Sequence, residues 1–287
     1  MNKFIMLAGA VAFSLSTLIV QAQAPAGLKT PAPSSSQTIK QAFALGELTV
    51  DYSRPSVKGR TVFGDLVPFG KVWRTGANAT TKLTFAEDVK IEGKDLKAGT
   101  YGLYTIPNKD SWEVMLYSDL TLNGNVGSYK AENEVLRVVV KPTVLTTKVE
   151  TFTINLADVT SNSLVLEILW DKTRVPVKIT AEIDAKIMKN IETTMATDAR
   201  PYFQAANYYY ENDKDLNQAL TWVNKAVEQN PKAFWVLMLK SRIEFKLKDN
   251  TAAAASAEKV VALAKEANNE DYVKMGEKMI ADAKAKK

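Results

Sequence analysis

The sequence contains neither cysteine nor histidine. Without cysteine it can form no disulfide, no thiolate nucleophile and no sulfur-bound metal site. Without histidine it lacks the side chain that titrates near neutral pH and the commonest transition-metal ligand, so Ser-His-Asp and Cys-His catalytic arrangements are excluded. An enzyme with this composition would depend on carboxylates, lysine, arginine or tyrosine. We assign no metal site and no cofactor.

A strong excess of one charge is also missing. The 37 lysine and arginine residues exceed the 32 acidic residues by only five, and the two signs are interspersed along the chain. Such a balance affects solubility more than the choice of partner, and no basic stripe of the kind that binds nucleic acid is present. Beyond the N-terminus no apolar run is long enough to span a bilayer, so we expect no membrane span once the leader is removed.

The one long apolar run lies at the N-terminus. After Lys3 the chain carries no charge over residues 4–20, and Ala22 and Ala24 then form a small-x-small site. This pattern predicts a signal peptide over residues 1–24, cleaved after Ala24, and therefore an exported protein that is periplasmic or extracellular. A retained membrane anchor is the alternative, because the run is near the lower length limit of a spanning helix. The hydroxyl residues inside the run argue against an anchor.

The chain then changes from a linker to a β-rich domain. Residues 25–37 are rich in proline and serine and lack apolar periodicity, which predicts a flexible linker. Residues 38–180 show apolar side chains at every second position, with turn residues between the runs, as in Leu48, Val50 and Tyr52. Eight or nine such runs predict an antiparallel β-sandwich. Pro176 predicts that the last strand lies at a sheet edge.

After residue 180 the apolar period becomes helical. Residues 181–197 predict a linking helix whose stripe packs against the β domain, and this stripe comprises Ile183, Ile187, Ile191 and Met195. Residues 198–287 predict helical hairpins with turns at residues 213–215 and 248–250 and a final capping helix. The first hairpin has the spacing typical of a tetratricopeptide repeat, carried by Phe203, Tyr210, Ala219, Ala226 and Pro231.

The fold class predicted from these patterns is α+β with two domains, a β-sandwich followed by a stack of α-helical hairpins. A plain helical bundle without repeat ancestry is the alternative for the tail, since only the first hairpin matches the repeat well. A repeat stack this short is a docking scaffold, so the tail predicts a protein partner.

Residues 51–80 differ from the rest of the chain. Four glycines, two prolines and three arginines lie close together between two strands. The segment carries the motifs Ser53-Arg54-Pro55, Gly59-Arg60, Phe63-Gly64, Leu66-Val67-Pro68 and the run from Val72 to Asn78. With the later Ala98-Gly99-Thr100-Tyr101 and Lys141-Pro142, these motifs resemble the domain of unknown function 2911 family of exported bacterial proteins. The resemblance covers residues 38–180 and supports this domain boundary, but the family implies no mechanism.

The same segment supplies the candidate ligand-binding residues, which are Arg54, Arg60, Trp73, Arg74 and Asn78. Guanidinium groups grip carboxylate, phosphate or sulfate with paired hydrogen bonds, and an indole can stack on a sugar ring. The segment therefore predicts a site for a small anionic or glycan ligand on the β domain. The architectural alternative is that Arg54 and Arg74 pair with Asp51, Asp65 or Glu87 and pin a long loop, while Trp73 fills the core.

Two hypotheses for function follow. The first is a non-enzymatic binding or scaffold protein of the cell envelope. The second is a polysaccharide-active hydrolase or lyase, in which Arg54, Arg74 and Asn78 hold an anionic substrate and a carboxylate or Tyr52 acts as base. The absence of histidine and cysteine favours the first. No carboxylates lie at a spacing that predicts a glycosidase pair, so we assign no catalytic residue.

Overall fold

The computed structural model describes residues 30–122, 124–197 and 200–285. The predicted signal peptide and the first part of the predicted linker lie outside these residues. The described chain forms ten strands followed by six helices. The strands are β1 (Ser35–Phe43), β2 (Gly46–Arg54), β3 (Thr81–Phe85), β4 (Val89–Ile91), β5 (Lys94–Leu96), β6 (Gly99–Pro107), β7 (Trp112–Tyr117), β8 (Glu134–Val140), β9 (Thr143–Ala157) and β10 (Ser163–Thr180). The helices are α1 (Asp184–Met195), α2 (Tyr202–Glu211), α3 (Leu216–Gln229), α4 (Phe234–Lys246), α5 (Asn250–Glu266) and α6 (Glu270–Ala285).

The strands form two antiparallel sheets. The six-stranded sheet has the order β1-β2-β3-β6-β7-β8, and the four-stranded sheet has the order β5-β4-β10-β9. This confirms the predicted antiparallel sandwich, although ten strands replace the expected eight or nine. The short strands β4 and β5 have three residues each, too few to show a period of two. Strand β1 begins at Ser35, three residues before the expected start of the folded part.

The core of the sandwich is built by the alternation that the sequence shows. Leu48 and Val50 of the six-stranded sheet and Leu166 and Ile168 of the four-stranded sheet are buried in the same apolar cluster. Side chains at alternate positions of a strand point to the same face, so each sheet contributes one apolar face to this cluster. The long connection between β2 and β3, residues 55–80, packs against one part of this core through Val57, Val62, Val67 and Trp73.

The prediction that the strand containing Pro176 lies at an edge is wrong. Strand β10 lies between β4 and β9. Its pairing with β9 ends at Arg174, and its pairing with β4 begins at Ile179. Pro176 falls between the two ladders, so its missing N–H group removes no inter-strand hydrogen bond. The proline is thus at a position where no neighbouring strand needs its N–H group, although the strand does not lie at an edge.

The start of helix α1 packs against the sandwich. Ile183 is buried in the sandwich core, and Ile187 packs against that core. Ile191 and Met195 instead face a groove shared with Tyr209 and Trp222 of the next two helices. The predicted packing of the apolar stripe on the β domain is thus correct for two of its four residues.

The helical tail has the predicted hairpins. Helices α2 and α3 flank the turn at residues 213–215, and α4 and α5 flank the turn at residues 247–249. Asp215 caps α3 by accepting the Asn217 and Gln218 amides at 2.8 and 3.1 Å. Buried alanines, including Ala219 and Ala226, allow close helix packing. Helix α6 packs on the second hairpin, which completes a tetratricopeptide-like tail. None of the described helices is both long and apolar enough to cross a membrane.

Candidate functional site

The segment from Trp73 to Asn78 has an unusual backbone. Thr75 and Asn78 have φ angles of 53° and 57°, and Gly76 has a φ of 151°. Positive φ is rare for a β-branched residue such as Thr75 and persists only where the surroundings enforce it. Two backbone hydrogen bonds between Trp73 and Thr105, of 2.7 and 2.9 Å, provide this restraint, together with a 3.0 Å contact between the Thr75 and Thr105 hydroxyls.

Trp73 belongs to an aromatic cluster in the core. Its ring stacks on Trp170 with centroids 5.8 Å apart and planes inclined by 17°. Its indole N–H donates to the Gly76 carbonyl at 3.1 Å. Phe63, Trp112 and Phe152 meet the ring edge-on. Because the ring is packed among four other rings, it acts as a wall of the core rather than as an open platform for a sugar.

Arg54 connects the two sheets. Its Nε donates to the Phe152 carbonyl at 3.0 Å, and its Nη2 donates to the Thr153 hydroxyl at 2.8 Å. Arg54 ends strand β2 of the larger sheet, whereas Phe152 and Thr153 lie on β9 of the smaller sheet. The half-buried guanidinium therefore joins the two layers at the start of the long loop.

Arg60 closes its own turn. Its Nε donates to the Val57 carbonyl at 3.0 Å, and its Nη2 donates to the Ser56 carbonyl at 2.6 Å. The backbone N–H of neighbouring Lys58 donates to the Glu150 carboxylate at 2.7 Å. This backbone hydrogen bond, more than the side chain of Lys148, holds the pKa of Glu150 below its usual value. The turn at residues 57–60 is thus fixed to strand β9.

Arg74 and Asn78 reach two other segments. Arg74 Nη1 donates to the Gly124 carbonyl at 3.4 Å, and Arg74 Nε is buried with no hydrogen-bond partner among the residues that the structure describes. Asn78 donates its side-chain amide to the Ser34 carbonyl at 3.2 Å. These contacts tie the loop to the β7–β8 connection and to the residue that precedes β1.

The arginines do not pair with the carboxylates that the architectural alternative named. Across the described residues, Arg54, Arg60 and Arg74 form no ion pair, while Asp51 accepts from Thr38 and Glu87 pairs with Lys186. Arg54 and Arg74 do hold the long loop against other segments, as the architectural alternative states, but their partners are not the carboxylates that it names. Their acceptors are neutral carbonyl and hydroxyl groups, which leave the guanidinium charges uncompensated by direct contact.

An open pocket of about 350 Å³ lies over this loop. The cationic residues that line it are Lys58, Arg60 and Arg74, and no aspartate or glutamate among the described residues does so. The other lining residues are Pro33, Ser34, Pro55, Ser56, Leu66, Val67, Trp73, Gly76, Ala77 and Trp170. We call this cavity the arginine-loop pocket.

The arginine-loop pocket brings together Arg60, Trp73 and Arg74 among the predicted site residues. It does not include Arg54, which lies against β9, or Asn78, which is exposed and bound to Ser34. Sequence reasoning missed Lys58 and Trp170. Lys58 directly precedes the Gly59-Arg60 motif, so its position could have pointed to the site. Trp170 lies nearly 100 residues from Trp73 in the sequence, and no local pattern links it to the site.

The groups considered for catalysis lie elsewhere. The Tyr52 hydroxyl donates to Gln37 at 2.8 Å and accepts from the Ile154 amide at 3.1 Å. Burial raises the pKa of Tyr52, which keeps the phenol protonated and makes it a poor base. Tyr52 does not line the arginine-loop pocket. Within the ranges that the structure covers, no three aspartate or glutamate side chains converge as a metal site requires.

Comparison with known proteins identifies the domain. A family model described as protein of unknown function (DUF2911) matches residues 34–179, about half of the chain. The chain belongs to the DUF2911 family. No curated protein matches the chain, and no solved structure matches it. The DUF2911 match spans the strands from β1 to β10, so the arginine-loop pocket lies almost entirely within the family domain.

Proposed function

We propose that this DUF2911 protein is an exported, non-enzymatic binding protein of the cell envelope. Its β domain binds a small anionic ligand in the arginine-loop pocket, and its helical tail docks a protein partner. The ligand is an acidic sugar or another compact anion of similar size. The N-terminal pattern of charge, apolar run and small residues supports export, and the tetratricopeptide-like tail supports docking.

One observation carries the binding proposal, namely the charge of the arginine-loop pocket. Lys58, Arg60 and Arg74 line it, and no acidic residue of the described part of the chain does so. A concave site with convergent cations and a rigid aromatic wall selects a compact anion over a neutral molecule. The restrained positive-φ backbone at Thr75 and Gly76 adds support, because such strain concentrates at ligand sites.

The pocket favours binding over hydrolysis. A carboxylate general acid or base would have to lie within reach of a bound sugar. Neither an aspartate, a glutamate nor Tyr52 lines this pocket. The hydrolase or lyase alternative therefore finds neither of the bases that it names, a carboxylate or Tyr52, among the described residues of the arginine-loop pocket.

Isothermal titration of the mature protein with galacturonate, galactose and phosphate tests the proposed ligand class. We expect galacturonate or phosphate to bind and galactose not to bind. Replacing Lys58 and Arg60 together by glutamine removes two positive charges and keeps polar, unbranched side chains, so affinity should fall about tenfold. The matched control replaces Lys141 and Lys172, two exposed lysines outside the pocket, by glutamine. Equal binding of galactose, or equal loss in the control, would contradict the proposal.

Export has its own test. Mass spectrometry of the protein recovered from the cell envelope should give an N-terminus at Pro25. A protein in the cell envelope that retains residues 1–24 would show that this segment is a membrane anchor and not a cleaved signal peptide. This outcome would change the location and would leave the binding proposal for the arginine-loop pocket intact.

A further inference from the structure

A second cavity, of about 230 Å³, lies where the tip of the long loop meets the β6–β7 turn and the start of β9. Its apolar lining residues are Phe63, Phe69, Trp112, Pro142 and Val144, and its polar lining residues are Asn108, Lys109, Thr143 and Thr173. We propose that this aromatic cavity binds a small carboxylic acid with an aromatic or branched apolar body. It shares no lining residue with the arginine-loop pocket, so the inference stands independently of the proposed function.

The aromatic walls are held in place before any ligand arrives. Phe63 meets Trp112 edge-on, with ring centroids 5.0 Å apart. Phe69 packs so tightly over Gly64 that a Cβ atom there would lie 2.8 Å from its ring, and Gly64 has a φ of 96°. The Gly64 amide donates to the Val67 carbonyl at 2.9 Å, which closes the loop tip. A preformed apolar cavity loses little conformational entropy when a ligand binds.

The rim carries apolar surface that nothing in the described chain covers. Val144 has 86% of its surface exposed, and it lines the cavity beside Pro142. Scattered exposed valines are ordinary, but here the exposed side chain adjoins three aromatic walls and so continues an apolar surface. The volume suits a single ring or a branched five- or six-atom chain, since typical pockets for larger ligands begin near about 300 Å³.

The charged group at the rim selects the sign of the ligand. Lys109 is exposed in the β6–β7 turn, and neither its ammonium nor the Asn108 amide has a hydrogen-bond or ion-pair partner among the described residues. Both groups donate hydrogen bonds, and an ammonium has no acceptor capacity. Within the ranges that the structure covers, no acidic residue lines the cavity. A carboxylate on an apolar body would therefore satisfy both donors while its body fills the aromatic cavity.

The test compares phenylacetate, phenylacetamide and acetate by saturation-transfer NMR and titration with the mature protein. We expect phenylacetate to bind, the neutral amide to bind more weakly and acetate not to bind. Lys109→Gln should weaken phenylacetate about three- to fivefold, because a solvent-exposed ion pair contributes modestly. Val144→Asp, an exposed substitution that does not threaten the core, should abolish binding. Lys172→Gln is the matched control, since Lys172 is exposed and does not line the cavity.

Each other outcome overturns the inference. Absence of phenylacetate binding shows that the cavity holds no such acid. Equal affinity for phenylacetate and phenylacetamide, or an unchanged affinity in Lys109→Gln, shows that no carboxylate is selected there. A loss in the Lys58 and Arg60 double variant, with none in Lys109→Gln, places the acid in the arginine-loop pocket, which would support the proposed function and refute this inference.

Discussion

Glu244 is the clearest source of pH-dependent stability in the helical tail. Its side chain lies within α4 and only 5% of the residue surface is exposed. The Oε2 atom is buried without a hydrogen-bond partner, while Oε1 lies 3.7 Å from Lys240 Nζ. Burial raises the pKa of Glu244, against the smaller lowering effects of Ser256 and Lys240, and the nearby Asp249 charge raises it further.

The direction of the effect follows from linkage. The folded pKa of Glu244 lies above its ordinary value of 4.5. Below that ordinary value the carboxyl is protonated in the folded and the unfolded chain, so it imposes no penalty. As the pH rises, the Glu244 carboxyl ionises first in the unfolded chain, which lowers the free energy of unfolding. Above the folded pKa the carboxyl is ionised in both states, and this loss of stability no longer grows. Glu244 therefore destabilises the tail increasingly as the pH rises above 4.5, and most above its folded pKa.

Glu244→Gln should accordingly stabilise the protein at pH 7. An unsatisfied buried polar atom costs about 1–3 kcal/mol, and an amide in the same place keeps some of that cost, so we expect a gain of about 1 kcal/mol. Urea unfolding followed by circular dichroism at 222 nm, a wavelength dominated by the helices, measures it at pH 4, 5.5 and 7. The gain should shrink towards zero at pH 4.

Two further variants define the test. Glu244→Met, an apolar replacement of similar volume, should stabilise at pH 7 at least as much as glutamine. Glu258→Gln removes an exposed carboxylate 3.8 Å from Lys284 and should change the unfolding free energy by less than about 0.5 kcal/mol at every pH. A loss of stability in Glu244→Gln at pH 7 would show that the ion pair with Lys240 outweighs burial and refute the reasoning. A pH-independent gain would refute it as well.

Two more predictions concern stability, one in the β domain and one in the helical tail. Arg54→Ala should lower the unfolding free energy of the β domain by about 2 kcal/mol, because it removes two short charge-assisted hydrogen bonds between the sheets. Arg74→Ala should cost less than about 1 kcal/mol, since the hydrogen bond from Arg74 to the Gly124 carbonyl is 3.4 Å long, and a larger loss for Arg74→Ala than for Arg54→Ala in urea unfolding would be inconsistent with this assignment. Gly276→Val should destabilise the tail by about 1–3 kcal/mol, because a Cβ there would lie 2.7 Å from Val261. Lys274→Val on the exposed side of the same helix is the control and should cost less than about 1 kcal/mol. Because valine has a higher helix propensity than glycine, an unchanged or increased stability in Gly276→Val would contradict the close packing at this position.

Local pattern determined the elements of this protein. The alternation at Leu48, Val50 and Tyr52 and the helical spacing after residue 180 are both visible in short windows, because strand and helix periods depend on neighbouring residues. The turns that separate the helices were predicted for the same reason. The motifs between Ser53 and Asn78 identified the family, and the family model confirms it.

Tertiary structure decided how those elements are used. Three-residue strands such as β4 leave no periodic trace. Strand order depends on contacts between distant segments, so the sequence did not show that the strand containing Pro176 lies between β4 and β9. The arginine partners were equally hidden. Arg54 bonds to a carbonyl 98 residues away and Arg74 to one 50 residues away. Every residue carries a backbone carbonyl, so the sequence does not show which carbonyl accepts a hydrogen bond. Carboxylates are identifiable from the sequence, and the arginines were therefore wrongly predicted to pair with them.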